Sequence, residues 1–386
     1  MSINREPFVC CILCGIEVAL YDGRELREAH EAWGAWAAQK SNKEKRLIVP
    51  ASEVEQLDLE TDLPMWACFY RAILDDPKRG RLTISGISPH IIMEARKEKH
   101  PAPIMTDPEK AVFFPGPLTA HPKWTVKFHM ANLFETDWNR ENGERVGYTM
   151  HPHCWLLVDR FLGHDIVKQD LRAFVQAIET YWRADRTLWM PDLRHPTREY
   201  PCYDNAAPWI RQNCPPCSAM PLDRSHVSAS PLIIRDIQSL STRATAAHEK
   251  SLGHAAKLRA TVANVPAEII KTIIDTIWQS RPPCRERIHD VRSVMEAFQW
   301  RLPDSYWRSR CSPDLVFEVQ DLVKAGTHID WAYFCLGLHE LLLQEDWYCN
   351  SGLYFRGRIL HLLECIKGDV LRSSVPADEQ VLEDQD

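Results

Sequence analysis

Residues 265–311, VPAEIIKTIIDTIWQSRPPCRERIHDVRSVMEAFQWRLPDSYWRSRC, decide how the C-terminal part of the chain is read. Val265, Ile269, Ile270, Ile273, Ile274 and Ile277 recur at the spacing of one helix face. Asn264 is placed to cap that helix, and Pro266 falls in its first turn, where a missing N–H costs little. The Pro- and Arg-rich run SRPPCRER breaks it. A second stripe, Val291, Val294, Met295 and Phe298, predicts another helix. That helix ends at Leu302-Pro303, because proline disfavours helical geometry in the residue before it. Asp304 then caps a short third helix carrying Tyr306 and Trp307. Spacing alone yields three short helices in succession, a pattern that any small helical core shares.

Working outward, Leu315–Val323 reads as a helix or strand–helix segment, and Trp331–Leu343 and Ile359–Leu371 as helices. The tail beyond Ser373 is acidic and polar, as disordered termini are. Upstream, residues 233–262 are either a helix or a flexible linker, with Lys and Arg on a solvated face. From Thr187 to Ser230 the prolines crowd together and mark a loop-rich connector. Inside it, Cys214-Pro-Pro-Cys217 has the spacing of a redox motif. No helix follows to lower the first thiol's pKa, so redox chemistry is not expected. With Cys202 these cysteines make three metal ligands without an obvious fourth.

The N-terminal region mixes patterns. Phe8–Leu20 suggests two short strands about a turn at Cys11-Ile-Leu-Cys14-Gly15. Arg24–Gln39 and Leu63–Leu74 read as helices, the latter with a stripe of Trp66, Phe69, Tyr70 and Ile73. Arg81–Ile87, Ala111–Phe114 and Thr125–Met130 read as strands, and Leu171–Trp182 as an amphipathic helix. Helices and strands interleave without a βαβ period, which predicts an α+β domain over residues 1–185. A connector over 186–260, a mainly α-helical domain over 261–373 and a tail over 374–386 complete the division.

Chemistry is sparse. The chain has no G-x-S-x-G, no phosphate-cradling glycine loop and no H-E-x-x-H. What remains is the C-x2-C-Gly at Cys11 and Cys14, where the glycine permits the tight turn that points N–H groups at thiolates. His151-Pro-His-Cys154-Trp155, ahead of a helix marked by Leu156, Leu157, Phe161 and Leu162, offers a second half-site. Cys10 and His153 are alternative ligands, and plain burial of cysteine beside tryptophan is the competing reading. Cys154 as a nucleophile with a histidine base is a third, enzymatic one.

Composition narrows the class. The net charge of −7 lacks the basic excess of a dedicated nucleic-acid binder. Thirteen irregularly spaced cysteines do not suit a secreted disulfide framework and predict reduced thiols in the cytoplasm or nucleus. FVCCILCGIEVAL is interrupted by Glu17 and lacks a small-residue cleavage site, so it is not read as a signal peptide. No apolar run reaches the length of a membrane span.

Val265-Pro266, Glu268-Ile269 and the Tyr306-Trp307-Arg308 ending together resemble an F-box. LPDSYWRSR, DLVFEV, DWAYFCLGLHELL and RGRILHLLE extend the likeness to a fungal family of F-box-like proteins, over roughly the last third of the chain. The W-x3-YRAI element, the C-x2-C-Gly and the H-x2-C-W recur in that family as well. The resemblance implies that Cys11, Cys14, His151 and Cys154 converge on a structural zinc ion. It implies a helical F-box-like domain in which Val265, Pro266, Ile269, Ile270 and Ile273 meet a Skp-type adaptor of a cullin–RING ubiquitin ligase. Trp307 would pack behind them, and the N-terminal domain would recruit a protein substrate. Two departures stand out: Val265 replaces the usual leucine, and SRPPCRER is longer and more basic than a compact F-box loop. The alternative is an interaction protein that keeps this fold without binding the adaptor.

Overall fold

The computed structural model describes residues 11–16, 18, 47–56, 65–76, 80–89, 104–113, 127–128, 146–184, 229–254 and 265–374. The helix expected over Arg24–Gln39, Cys10, the connector cysteines, Asn264 and the acidic tail lie outside these residues. The chain divides into two units: Met1–Tyr200 with Pro221–Ile233 and Arg358–Asp386, and Pro201–Met220 with Ile234–Gly357.

In the first unit, β1 (Leu47–Pro50) leads into the short α1 (Ala51–Glu55) and pairs antiparallel with β5 (Lys110–Phe113). The larger sheet is built on β2 (Phe69–Asp76), which follows a 3-10 turn at Met65–Cys68. It pairs antiparallel with β3 (Arg81–Ile84), β4 (Ser88–Pro89) and β7 (Val146–Met150), and β7 pairs parallel with β6 (Lys127–Phe128). The helix expected over Leu63–Leu74 is therefore a turn and a strand. The helical spacing of Trp66, Phe69, Tyr70 and Ile73 misleads because Ala67, Cys68, Ala72 and Leu74 are buried too. A strand covered on both faces is apolar throughout and carries no alternation to reveal it. Its two buried charged residues, Arg71 and Asp75, have charged partners. Arg71 pairs with Glu55 at 2.6 Å and donates to the carbonyls of Pro108 (2.7 Å) and Ser85 (3.0 Å), and Asp75 lies 3.7 Å from Arg172. Around residues 11–16 the expected strands are absent among the described residues, and the backbone forms a turn.

Beyond β7 the chain enters α2 (Pro152–Phe161), α3 (His164–Gln169) and α4 (Leu171–Ala184). As expected of an amphipathic helix, α4 buries Phe174, Ile178 and Trp182.

The second unit is helical: α5 (Arg235–His254), α6 (Ala267–Gln279), α7 (Arg285–Ala297), α8 (Asp304–Arg308), α9 (Glu318–Lys324), α10 (Trp331–Leu342) and α11 (Glu345–Asn350). Where the sequence left residues 233–262 open, α5 is a helix with Ile237, Leu240 and Ala244 buried. It belongs to the second unit. The unit boundary falls inside the last helix, α12 (Leu353–Ser374). Helix α10 is the hub, capped by the Asp330 carboxylate on the Tyr333 N–H (2.9 Å) and packed by α5, α7, α8 and α11. Helix α8 starts one residue earlier than a cap at Asp304 implies: Pro303 takes the cap position and Asp304 sits in the first turn, where its charge faces the positive helix end. Arg356, fully buried, places its guanidinium on both Glu318 oxygens (2.9 Å each) and 3.9 Å from the centre of the Phe317 ring. A buried charge persists only when paired in this way.

Candidate metal centre

Two local structures build the site. Gly15, at φ +76°, lets the chain turn so that its N–H reaches the Cys11 carbonyl (2.9 Å) while the Cys11 N–H reaches the Ile16 carbonyl (2.8 Å). This turn is held against β7 by Ile12, whose N–H donates to the Thr149 carbonyl (2.8 Å) and whose own carbonyl accepts from Trp182 Nε1 (2.8 Å). On the other side, β7 ends at Met150 and α2 begins at Pro152, with His151 as its cap residue. His151 and Cys154 are thus one helical turn apart and face the same way. Cys154 lies in the first turn of α2, where the helix dipole favours negative charge on sulfur.

The two halves converge. The donor atoms of Cys11, Cys14, His151 and Cys154 all lie within 4.8 Å of one another, forming a buried group able to hold a metal ion. None of the four residues is more than 1 % exposed. His151 Nδ1 lies 3.4 Å from Cys14 Sγ and 3.8 Å from Cys154 Sγ, and the His151 backbone N–H points at Cys11 Sγ at 3.4 Å. Burial pushes the thiols of Cys14 and Cys154 well above their ordinary range. Burial alone would raise Cys11 as well. Hydrogen bonds from Cys14 and Cys154 and the attraction of His151 outweigh it, so the Cys11 thiol falls well below its usual value. A divalent ion would supply the positive charge that three buried thiolates need.

His153, the alternative ligand, is committed elsewhere: Nδ1 meets Ser230 Oγ at 2.7 Å and Nε2 the Glu55 carbonyl at 3.1 Å. Trp66, read from the sequence as one residue of a helical stripe, instead sits edge-to-face on the His151 ring, with centroids 4.7 Å apart. Trp182 likewise has a second task at the Ile12 carbonyl. Neither is recognisable from spacing, because both contacts join residues far apart in the chain.

The second set of candidate residues lies in the helical unit. Pro266 is exposed, Val265 and Ile273 are half-buried, and Ile269 is 51 % exposed. Ile270 (5 %) and Trp307 (1 %) belong to the interior. Ile270 is buried, as is Ile274 one turn further along α6. The basic loop has a local use: Arg287 folds back to donate to the carbonyls of Trp278 (3.0 Å) and Arg281 (3.1 Å) and lies over the Trp278 ring, closing the end of α6. Asp275 on α6 accepts from Tyr306 Oη (2.7 Å) and pairs with Arg310 (2.5 Å), which joins α6 to α8. Among the described residues, no helix is long and apolar enough to cross a membrane. The chain matches no protein-family model, no curated protein and no solved structure.

Proposed function

We propose that this protein is a non-enzymatic, zinc-stabilised interaction protein whose F-box-like helices engage a Skp-type adaptor of a cullin–RING ubiquitin ligase. The metal assignment rests on the donor set and its spacing. Zinc bonds of about 2.3 Å to sulfur and 2.0–2.1 Å to nitrogen put nitrogen and sulfur roughly 3.5 Å apart in a tetrahedron. The observed 3.4 and 3.8 Å lie on either side of that value. Three thiolates and one imidazole fill all four positions, leaving none for water or substrate, and this supports a structural role over a catalytic one.

The observation that carries the adaptor reading is the burial pattern at the start of α6. The same apolar run that anchors the core through Ile270 and Ile274 turns Pro266 and Ile269 outward. Phe298, at the end of α7, is also 41 % exposed. Apolar side chains on an exposed helix face are what helix-in-groove recognition uses. The surface on offer is smaller than the full stripe, because the inward half of α6 packs within its own unit. Capture of purified Skp-type adaptor by the full chain tests the proposal. Ile269→Asp changes only an exposed position and is expected to leave the fold intact while reducing adaptor recovery at least about tenfold, as loss of a central apolar contact does. No adaptor on the wild type, or equal recovery by Ile269→Asp, overturns it. The F-box-like helices would then serve the core alone.

A further inference from the structure

His151 presents an unsolved requirement. Its Nδ1 faces the sulfurs of Cys14 and Cys154, so in the metal-bound state the ring proton must sit on Nε2. Metal-bound histidines ordinarily donate that proton to a carboxylate, a carbonyl or water. Here Nε2 is buried and meets no hydrogen-bond partner among the described residues. What the ring does meet is Trp66, at 4.7 Å between centroids and 69° between planes. Trp66 is itself fixed: its ring lies parallel to that of His153 (8°, 6.4 Å), and both nitrogens of His153 are hydrogen-bonded.

We infer that Trp66 is the positioning residue of the metal centre, its indole face accepting the Nε2–H of His151 in place of the usual oxygen acceptor. The inference rests on the metal reading above. An aromatic face carries negative charge density, and N–H groups directed at it are weakly bound. Coordination withdraws electrons from the imidazole and makes the N–H more positive, so the contact strengthens when the metal is present, in the direction of a cation–π interaction. The contact also selects the tautomer that leaves Nδ1 free for the metal. It needs no water and no buried carboxylate, and so suits a cluster whose ligands are almost wholly shielded from solvent.

The test compares full-length wild type, Trp66→Phe and Trp66→Leu, each titrated with zinc against a competing chelator. Phenylalanine keeps a π face and leucine does not. Trp66→Leu is expected to weaken zinc binding about 10–100-fold, the range for loss of a residue that orients a ligand, and Trp66→Phe by no more than about threefold. Equal weakening in both variants reduces Trp66 to packing volume and overturns the inference, as does unchanged binding in Trp66→Leu. A wild type that holds no zinc removes the metal reading itself, an outcome distinct from either. Should Trp66→Leu not fold, the Nε2 proton of His151 in zinc-loaded, nitrogen-labelled wild type decides. A proton over the indole face resonates upfield of an ordinary metal-bound imidazole N–H, and an unshifted resonance overturns the inference.

Discussion

Removing the metal is the perturbation whose size follows most directly from the geometry. Cys14 and His151 are 137 positions apart, whereas Cys11–Cys14 and His151–Cys154 each span three. An unfolded chain can therefore offer either half-site readily, but joining the halves means closing a loop of that length. The entropic cost of such a closure is about 5 kcal/mol. In the native protein the pairing of β2 with β7 and the bonds of Ile12 to Thr149 and Trp182 hold the halves together before any ion arrives. Native chain should thus bind zinc several-thousand-fold more tightly than unfolded chain, which is the same 5 kcal/mol restated. Two consequences can be measured by urea unfolding in buffers of fixed free zinc, followed by circular dichroism. Stability should rise by about 1.4 kcal/mol per tenfold increase in free zinc, then level off near 5 kcal/mol once the unfolded chain binds as well. Against a total of about 5–15 kcal/mol for an ordinary domain, the metal-free first unit would be left marginal. Cys14→Ser should lose both the zinc and the dependence. A chelator that strips bound metal without moving the unfolding midpoint would refute the reasoning, as would full zinc retention by Cys14→Ser.

Further outcomes test the helical unit. His339 is buried with Nε2 on the Arg310 carbonyl (3.2 Å) and its ring edge-to-face with Trp278; burial first, and the charges of Arg287 and Arg310 second, bring its pKa down to about 4. The unfolded chain, with an ordinary histidine near 6.5, takes up the proton first. The contribution is therefore complete above about pH 6.5 and is lost as pH falls toward 4, by roughly 3 kcal/mol. His339→Gln should flatten the unfolding profile across that window, and an unchanged slope would show that other groups set it. At the crossing of α10 and α5, a methyl group on Gly337 would come within 2.6 Å of Leu240 Cδ1. Gly337→Ala should cost about 1–2 kcal/mol, overpacking outweighing the roughly 1 kcal/mol gain in helix propensity. Adding Leu240→Ala should recover part of that loss in a double-mutant cycle, and strict additivity would argue against the clash.

The helices of the second unit are legible in the sequence because a helix with one covered face repeats its apolar residues at 3.6 positions. Ile270 and Ile274 are buried while Ile269 is not, and the stripe announces both the element and, nearly, its orientation. Residues 69–75 fail the same reading because burial on both faces erases the period. The stripe around Val265–Ile277 also overstates the available surface, since sequence spacing cannot say which part of an apolar face is covered from within the chain. At the candidate metal site, the turn at Cys11–Gly15 and the helix start at His151–Cys154 are local features, visible as two half-motifs. Spacing shows neither that the halves meet nor that Trp66 packs against the ring of His151.

By itself, then, the sequence determined what short-range sterics and periodicity can encode: the glycine-dependent turn, the amphipathic helices, and the absence of familiar catalytic motifs. The tertiary structure decided which distant donors share one pocket, which isoleucines face outward, and which residues surround the histidine. Those outcomes depend on strand pairing and side-chain packing between segments separated in sequence, by 137 positions for Cys14 and His151 and 170 for Ile12 and Trp182, and such contacts leave no local period in the chain.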